Sequence, residues 1–358
     1  MRPSRSGTFA KPWRSSTGSS SRPSMARLRD VADVAGVSVT TASRVLNGAD
    51  ASHPVSPEVR AAVTAAAEQL GYRPSATARA LKQGRSDLIG VIVSDILDPY
   101  FGELTRGIEI ASAAAGFVTV SANGNRDPEQ ELTRFRALRQ HGAAGIVFCG
   151  SDIDGAPGTA ALAREVNRAI REGTRVVSLA PRGFTSAQIV VDNTATSAHL
   201  TAHLIGTGAR DIVFVGGIPG LAAADERISG YRSTMYERGL KPHVVGLDGM
   251  NQTAGRDVVA TILAGATTPD AFLCTNDETA VGAIAALWNA GVDVPGDVAI
   301  ASIGGTAGGR IFDLTAVELP LGELGRLAVE YVADDTDRVP DAPVATLRIG
   351  RTTRERTD

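Results

Sequence analysis

From Leu88 onward, short apolar runs alternate with amphipathic stretches of helical period, and this alternation constrains the fold more than any other feature of the chain. The runs are LIGVIVSDI from Leu88, FVTVSA from Phe117, GIVFCG from Gly145, RVVSLA from Arg175, DIVFVGG from Asp211, HVVGL from His243, AFLCTN from Ala271 and VAIASIG from Val298. Strands separated by helices pair in parallel, because each crossover helix carries the chain back to the same end of the sheet. Eight such units exceed one comfortable doubly wound sheet, and PVATLRIG from Pro343 offers a closing strand. Two similar lobes linked by crossing strands account for the pattern better than one large sheet. A chain of 358 residues also leaves room for a separate small domain.

That small domain lies ahead of the alternation. From Leu28 to Tyr72 the pattern is purely helical. Arg29 to Ala35 reads as a short helix stopped by Gly36, where a left-handed backbone suits glycine. Ser38 is placed to cap a second helix running to about Leu46, with Ala42, Val45 and Leu46 on its apolar face and Val39, Thr40 and Arg44 on the outer side. A third helix begins at Ser56 and Pro57, with Glu58 near its positive end, and Gly71 and Pro74 close it. The predicted organisation is an arm over 1–25, a helix-turn-helix head over 26–73, a linker over 74–86, and a two-lobed domain over 87–358. The arm is rich in Ser, Arg, Pro and Gly, and a disordered segment is expected there. Two readings of it stay open, an extra contact with DNA phosphates or a stretch upstream of a start at Met25.

Several function classes find no support. Cys149 and Cys274 sit in apolar runs, far from any CxxC or Cys/His cluster, and read as packing residues. His199 and His203 stand one helical turn apart without a third ligand, so no metal is expected. There is no GxGxxG after a strand, no GxxxxGK[ST] and no nucleophile-base arrangement, so neither an enzyme nor a bound cofactor is expected. No apolar stretch is long enough to cross a bilayer, the N-terminus lacks the apolar segment of a secretory signal, and a cytoplasmic location with no membrane partner is predicted. The formal net charge of -3 means that any nucleic-acid surface must be local.

Two short helices about a glycine turn, the second capped by serine, form the generic helix-turn-helix, whose second helix enters the major groove by its N-terminal end. Here LRDVADVAGVSVTTASRVLNG and VSPEVRAAVTAAAEQLGYRPSATARALKQGRSDLIGVIVSDILDPYFGELTRGIE resemble the LacI/GalR family of transcriptional regulators over the head, the hinge and the first sensor unit. The likeness continues more loosely to about residue 300. It implies that Val39, Thr40 and Arg44 read bases, a role their chemistry allows, since Arg bonds guanine while Thr or Val meets a thymine methyl. It implies that Leu28, Ser38, Thr41, Ser43, Asn47 and Ser56 touch the phosphate backbone. It further implies that SATARAL, Ser75 to Leu81, is a hinge helix ordered only in the DNA-bound pair. There Leu81 would wedge into the minor groove beside Ala78, Arg79 and Lys82.

The same resemblance implies that the lobed part is similar to periplasmic sugar-binding proteins, with a small-molecule effector held between the lobes. Tyr100 and Phe101 in DPYFGEL match an aromatic site on the effector, Arg227 matches an arginine that grips hydroxyls or carboxylates, and Asn276 with Asp277 matches a further polar contact. Two acids expected in such a pocket are missing: SLAPRG puts Ala180 or Pro181 at one, and SIGGTAGG puts Gly304 at the other. Paired acids are the usual means of holding sugar hydroxyls, so the expectation of a sugar or sugar derivative is weakened here. The function implied is that of a homodimeric repressor on near-palindromic operator DNA. A transport-type receptor would need an export signal and no recognition helix, and an α/β enzyme would need a catalytic constellation.

Overall fold

The computed structural model describes residues 26–46, 55–73, 86–265, 267–334 and 336–354. The chain divides between Gly84 and Arg85 into two compact units.

In the first unit, helices α1 (Leu28–Ala35), α2 (Val39–Leu46) and α3 (Pro57–Gln69) enclose a small core. Val31, Ala32, Ala42, Val45, Val63, Ala66 and Ala67 fill it. Local chemistry sets each helix boundary. The Arg27 amide donates to the Asp30 carboxylate (2.7 Å) at the start of α1. Gly36 adopts φ 66° at its end, and the Val37 amide returns to the Ala32 carbonyl (3.0 Å). The Ser38 hydroxyl accepts from the Thr41 amide (3.1 Å), Ser56 accepts from the Val59 amide (3.4 Å), and Pro57 opens α3.

The second unit holds two sheets. The first is wholly parallel, in the order β2-β1-β3-β4-β5, with β1 (Leu88–Val93), β2 (Val118–Asn123), β3 (Gly145–Phe148), β4 (Arg175–Ser178) and β5 (Ala187–Gln188). Helices α4 (Pro99–Ala114), α5 (Pro128–Gln140) and α6 (Thr159–Arg171) connect its strands. The second sheet has the order β11-β10-β9-β8-β6-β7, with β6 (Ile212–Val215), β7 (His243–Val245), β8 (Ala271–Cys274), β9 (Ala299–Gly304), β10 (Thr315–Glu318) and β11 (Thr346–Arg348). Only the β10–β11 pair is antiparallel. Its helices are α7 (Asn193–Gly206), α8 (Ala222–Glu237), α9 (Gln252–Leu263), α10 (Asp277–Asn289) and the short α11 (Ala307–Ile311). Helix α12 (Leu321–Ala333) returns to the first lobe, where it packs on α4 and against β3 and β4.

The chain therefore passes between lobes three times, after β5, after β10 and after α12. Every run expected as a strand forms one. Strands β5 and β10 were not anticipated, since the first is only a bridge of two residues and the second, TAVE, carries too little alternation to register. Near-continuous apolar runs such as LIGVIV are explained by covering on both faces: five of the six β1 residues are buried.

Candidate functional site

Helix α2 presents opposite faces of different chemistry. Ala42 and Val45 are buried, while Val39 and Thr40 are exposed at its N-terminal turn. Arg44 is half-buried, with no hydrogen bond or ion pair among the described residues. Ser38 and Thr41 share a hydroxyl-hydroxyl bond (2.8 Å) at the same end, Ser56 is exposed at the start of α3, and Leu28 packs on the head's core. Ser43 is half-buried on α2. Asn47 and the hinge residues Ala78, Arg79, Leu81 and Lys82 lie outside the described residues, as does the arm over 1–25.

The second candidate site is a cleft bounded by loops that leave the carboxyl ends of strands in both sheets. Open α/β sheets place ligands there because the helix N-termini and loop amides converge at that edge. Asp98 and Tyr100 follow β1, Arg126 follows β2, Gly150 and Ser151 follow β3, and Ala180 follows β4. From the other lobe come Leu221 after β6, Met250 after β7, Asn276 after β8 and Gly304 at the end of β9. The structure brings together Tyr100, Phe101, Arg227, Asn276 and Asp277, the five residues singled out for an effector.

Their bonding distinguishes them. Asn276 is the N-cap of α10: its side-chain oxygen accepts from the Thr279 amide (3.0 Å) and its side-chain nitrogen donates to the Met250 carbonyl (3.0 Å). Asp277 is almost fully buried and accepts from the Ser302 hydroxyl (2.6 Å) and from the Thr306 amide and hydroxyl (both 2.7 Å). That carboxylate clamps the β9–α11 loop. A Cβ on Gly304 would fall 2.7 Å from its carboxyl atoms, so the residue after Ile303 is glycine because Asp277 fills the space. Of Ala180 and Pro181, the two residues offered for the other absent acid, Ala180 lines the cleft.

Arg227 on α8 is buried, its Nε donating to the Asn193 side-chain oxygen (3.0 Å) and its Nη1 to the Thr275 carbonyl (2.7 Å). Glu226 fixes Asn193 by accepting from its amide nitrogen (2.9 Å). Burial pulls the Arg227 pKa down. Burial also raises the Asp98 carboxyl to about 6, against the Tyr100 amide that it caps (3.0 Å) and the Arg126 guanidinium 3.5 Å away. The Tyr100 phenol is pushed up to about 12 by burial, and Cys149 likewise to about 12, so both keep their protons. Among the described residues, no group of three or more His, Cys, Asp or Glu could hold a metal. His203 instead meets the Thr353 hydroxyl (3.2 Å), while His199 is exposed.

Sequence reasoning passed over a buried network beside the cleft. The Arg182 guanidinium meets both oxygens of Glu131 (2.7 and 3.0 Å) and one of Asp152 (3.0 Å), and its ring neighbours are Phe148 and Phe184. Burial opposes its charge, but Glu131 and Asp152 outweigh that and raise its pKa. The one signal available was the arginine of SLAPRG, whose partners stand far away in sequence.

A three-helix head with an exposed capped second helix, joined to a two-lobed α/β domain with a cleft, defines a ligand-responsive DNA-binding protein. Residues 27–75 match the family model for bacterial regulatory proteins of the lacI family, and residues 201–356 match that for a periplasmic binding protein-like domain. The chain is 30% identical over 320 residues to catabolite control protein A of Staphylococcus xylosus, covering 86% of this chain and 92% of that protein. It is 29% identical to the HTH-type transcriptional regulator GalR of Escherichia coli (strain K12), covering 88% and 91%. Its fold matches the Lac repressor dimer bound to operator and the anti-inducer ONPF with a TM-score of 0.80, at 23% identity over 92% of this chain and 99% of that one. It also matches the complex of the transcriptional regulator CelR with cellobiose, with a TM-score of 0.63 and 26% identity over 91% and 99%. The chain belongs to the LacI family and is a DNA-binding transcriptional regulator with an effector-binding domain, not an enzyme. No helix among the described residues is long and apolar enough to cross a membrane.

Proposed function

We propose that the protein is a cytoplasmic, homodimeric repressor that reads a near-palindromic operator through Val39, Thr40 and Arg44 and whose operator affinity changes when a small molecule occupies the cleft. Leu28, Ser38, Thr41, Ser43, Asn47 and Ser56 set the head on phosphates, and the segment with Ala78, Arg79, Leu81 and Lys82 serves the minor groove. The arrangement of α2 carries this reading. Three side chains able to meet base edges project from a helix whose other face is locked into a core, and Arg44 has no partner of its own among the described residues. The relatives support the dimer and the effector: the Lac repressor is seen as a dimer on operator, and CelR with cellobiose.

The test is fluorescence anisotropy of the full chain against its own upstream intergenic duplex at two salt concentrations, with scrambled duplex as competitor. Arg44→Ala is expected to weaken binding by about 1 to 3 kcal/mol on the native duplex and little on scrambled DNA. Equal losses on both duplexes would show that Arg44 does not read a base.

A further inference from the structure

Five charged side chains of both signs line the cleft, Asp98, Arg126, Arg227, Asp277 and Glu278. Asp98 faces Arg126 at 3.5 Å, Asp277 takes three donors from Ser302 and Thr306, and Glu278 accepts from the Gln252 side chain (3.0 Å). Arg227 differs from Arg126 in having no carboxylate in contact among the described residues. Among the described residues no carboxylate lies within ion-pair distance of it, although Asp98, Glu226 and Asp277 act on it from farther away, and its two hydrogen bonds go to a neutral amide and a backbone carbonyl. A guanidinium has five N–H groups in a planar fork, so three remain without a partner among the described residues, although the residue is 8% exposed. The Tyr100 hydroxyl, which lines the same cleft, likewise makes no hydrogen bond among the described residues.

Beside these charged groups and the polar Ser151, Asn276 and Thr306, part of the wall is apolar. Phe101, Ala180, Leu221, Met250 and Ile303 line it, and Gly304 adds no side chain. A polyhydroxylated ligand needs acceptors for its many O–H donors. Here the two positions that would supply acids hold Ala180 or Pro181 and Gly304, and the Asp277 carboxylate that occupies the space beside Gly304 is consumed internally. Unused donors beside apolar walls are instead complementary to a planar anion on an apolar body.

We infer that the cleft takes a small organic carboxylate, its anionic group held by Arg227 and the Tyr100 hydroxyl and its apolar body held by Phe101, Ala180, Leu221, Met250 and Ile303. This rests on the reading of the cleft as the effector site. A buried guanidinium with no carboxylate in contact is costly, and a ligand that brings a carboxylate into contact recovers part of that cost when it binds.

The full chain would be titrated by calorimetry, and its thermal unfolding followed, with benzoate, phenylacetate and 4-methylpentanoate, the amide of each acid, and glucose and galactose. The acids are expected to bind and to raise the melting temperature. Each amide is expected to bind at least about tenfold more weakly than its acid. Tyr100→Phe, which keeps the ring in place, is expected to weaken acid binding several-fold without changing that of the amides, and Arg227→Gln to abolish the acid preference. A protein that binds the hexoses but none of the acids, that binds amides as well as acids, or that binds none of the compounds overturns the inference. Operator affinity without added compound is measured on the same preparation. Its loss would count against the regulator reading, whereas the ligand profile alone decides the carboxylate.

Discussion

Arg182 shows how much one side chain can hold in a lobe built mainly of apolar strands. It joins the start of α5, through Glu131, to the loop after β3, through Asp152 and the Gly150 carbonyl. Glu131 is 3% exposed, so Arg182→Leu would leave its carboxylate buried and unpaired. The loss expected is about 3 to 5 kcal/mol, read from urea unfolding, with part of it recovered when Glu131→Gln is added. Recovery of nothing in the double variant would mean that the apolar contacts of Arg182 with Phe148 and Phe184 carry the stability instead. Asp98 gives a second prediction, with the opposite sign to the usual carboxylate. Its folded pKa, about 6, lies above the ordinary 3.8, so the native state holds a proton that the unfolded chain has lost between these values. Its contribution is therefore most favourable below about pH 4 and is lost as pH rises through 6. Arg126 opposes the shift, while Glu278 and Asp95 add to it. Asp98→Asn, which can still cap α4, should flatten stability between pH 4 and 6 in thermal melts and leave the protein no less stable at pH 7. A steeper profile in the variant would refute the assignment.

Among the elements, the paired helices of the second lobe meet through glycine rather than through interdigitating side chains. A Cβ on Gly282 of α10 would strike the Gln252 carbonyl of α9, and one on Gly255 of α9 would strike the Thr279 carbonyl of α10. Gly282→Ala is thus expected to force the pair apart at a cost of about 1 to 3 kcal/mol, measured by denaturant unfolding. In the head, Gly36→Ala should cost about 1 kcal/mol, because the turn between α1 and α2 requires φ 66°. The head's helices were legible because caps, a turn glycine and an apolar stripe act over a few residues. The helix-packing glycines were not, since nothing local distinguishes Gly282 from a glycine in a loop. Strand β10 was missed for a related reason: Thr315, Ala316 and Val317 are buried by neighbours far along the chain, and the Thr315 hydroxyl is satisfied by Gly350 and Thr353.

For the sensor domain as a whole, the lobes are tied across the cleft by contacts on two sides. The Asp154 amide donates to the Gly220 carbonyl (2.7 Å) and the Ala222 amide to the Asp152 carbonyl (3.0 Å), forming a short bridge between the loops after β3 and β6. On the other side the Ala307 amide donates to Glu103 of α4 (2.6 Å), with Arg310 3.9 Å from the same carboxylate. Glu103→Ala removes that second tie without touching the cleft wall. A larger radius of gyration by small-angle X-ray scattering is expected, and an unchanged one would show that the first bridge alone sets the closure. What the sequence determined by itself was of short range, the alternation that makes parallel sheets and the capped head, while the five residues at the cleft came from the family resemblance. Which of those five still has bonds to offer was decided only by the tertiary structure. Asn276 and Asp277 are consumed by partners that folding brings from Met250, Ser302 and Thr306, whereas Arg227 is left with open donors. Hydrogen-bond satisfaction inside a fold depends on neighbours distant in the chain, and no local pattern of residues encodes it.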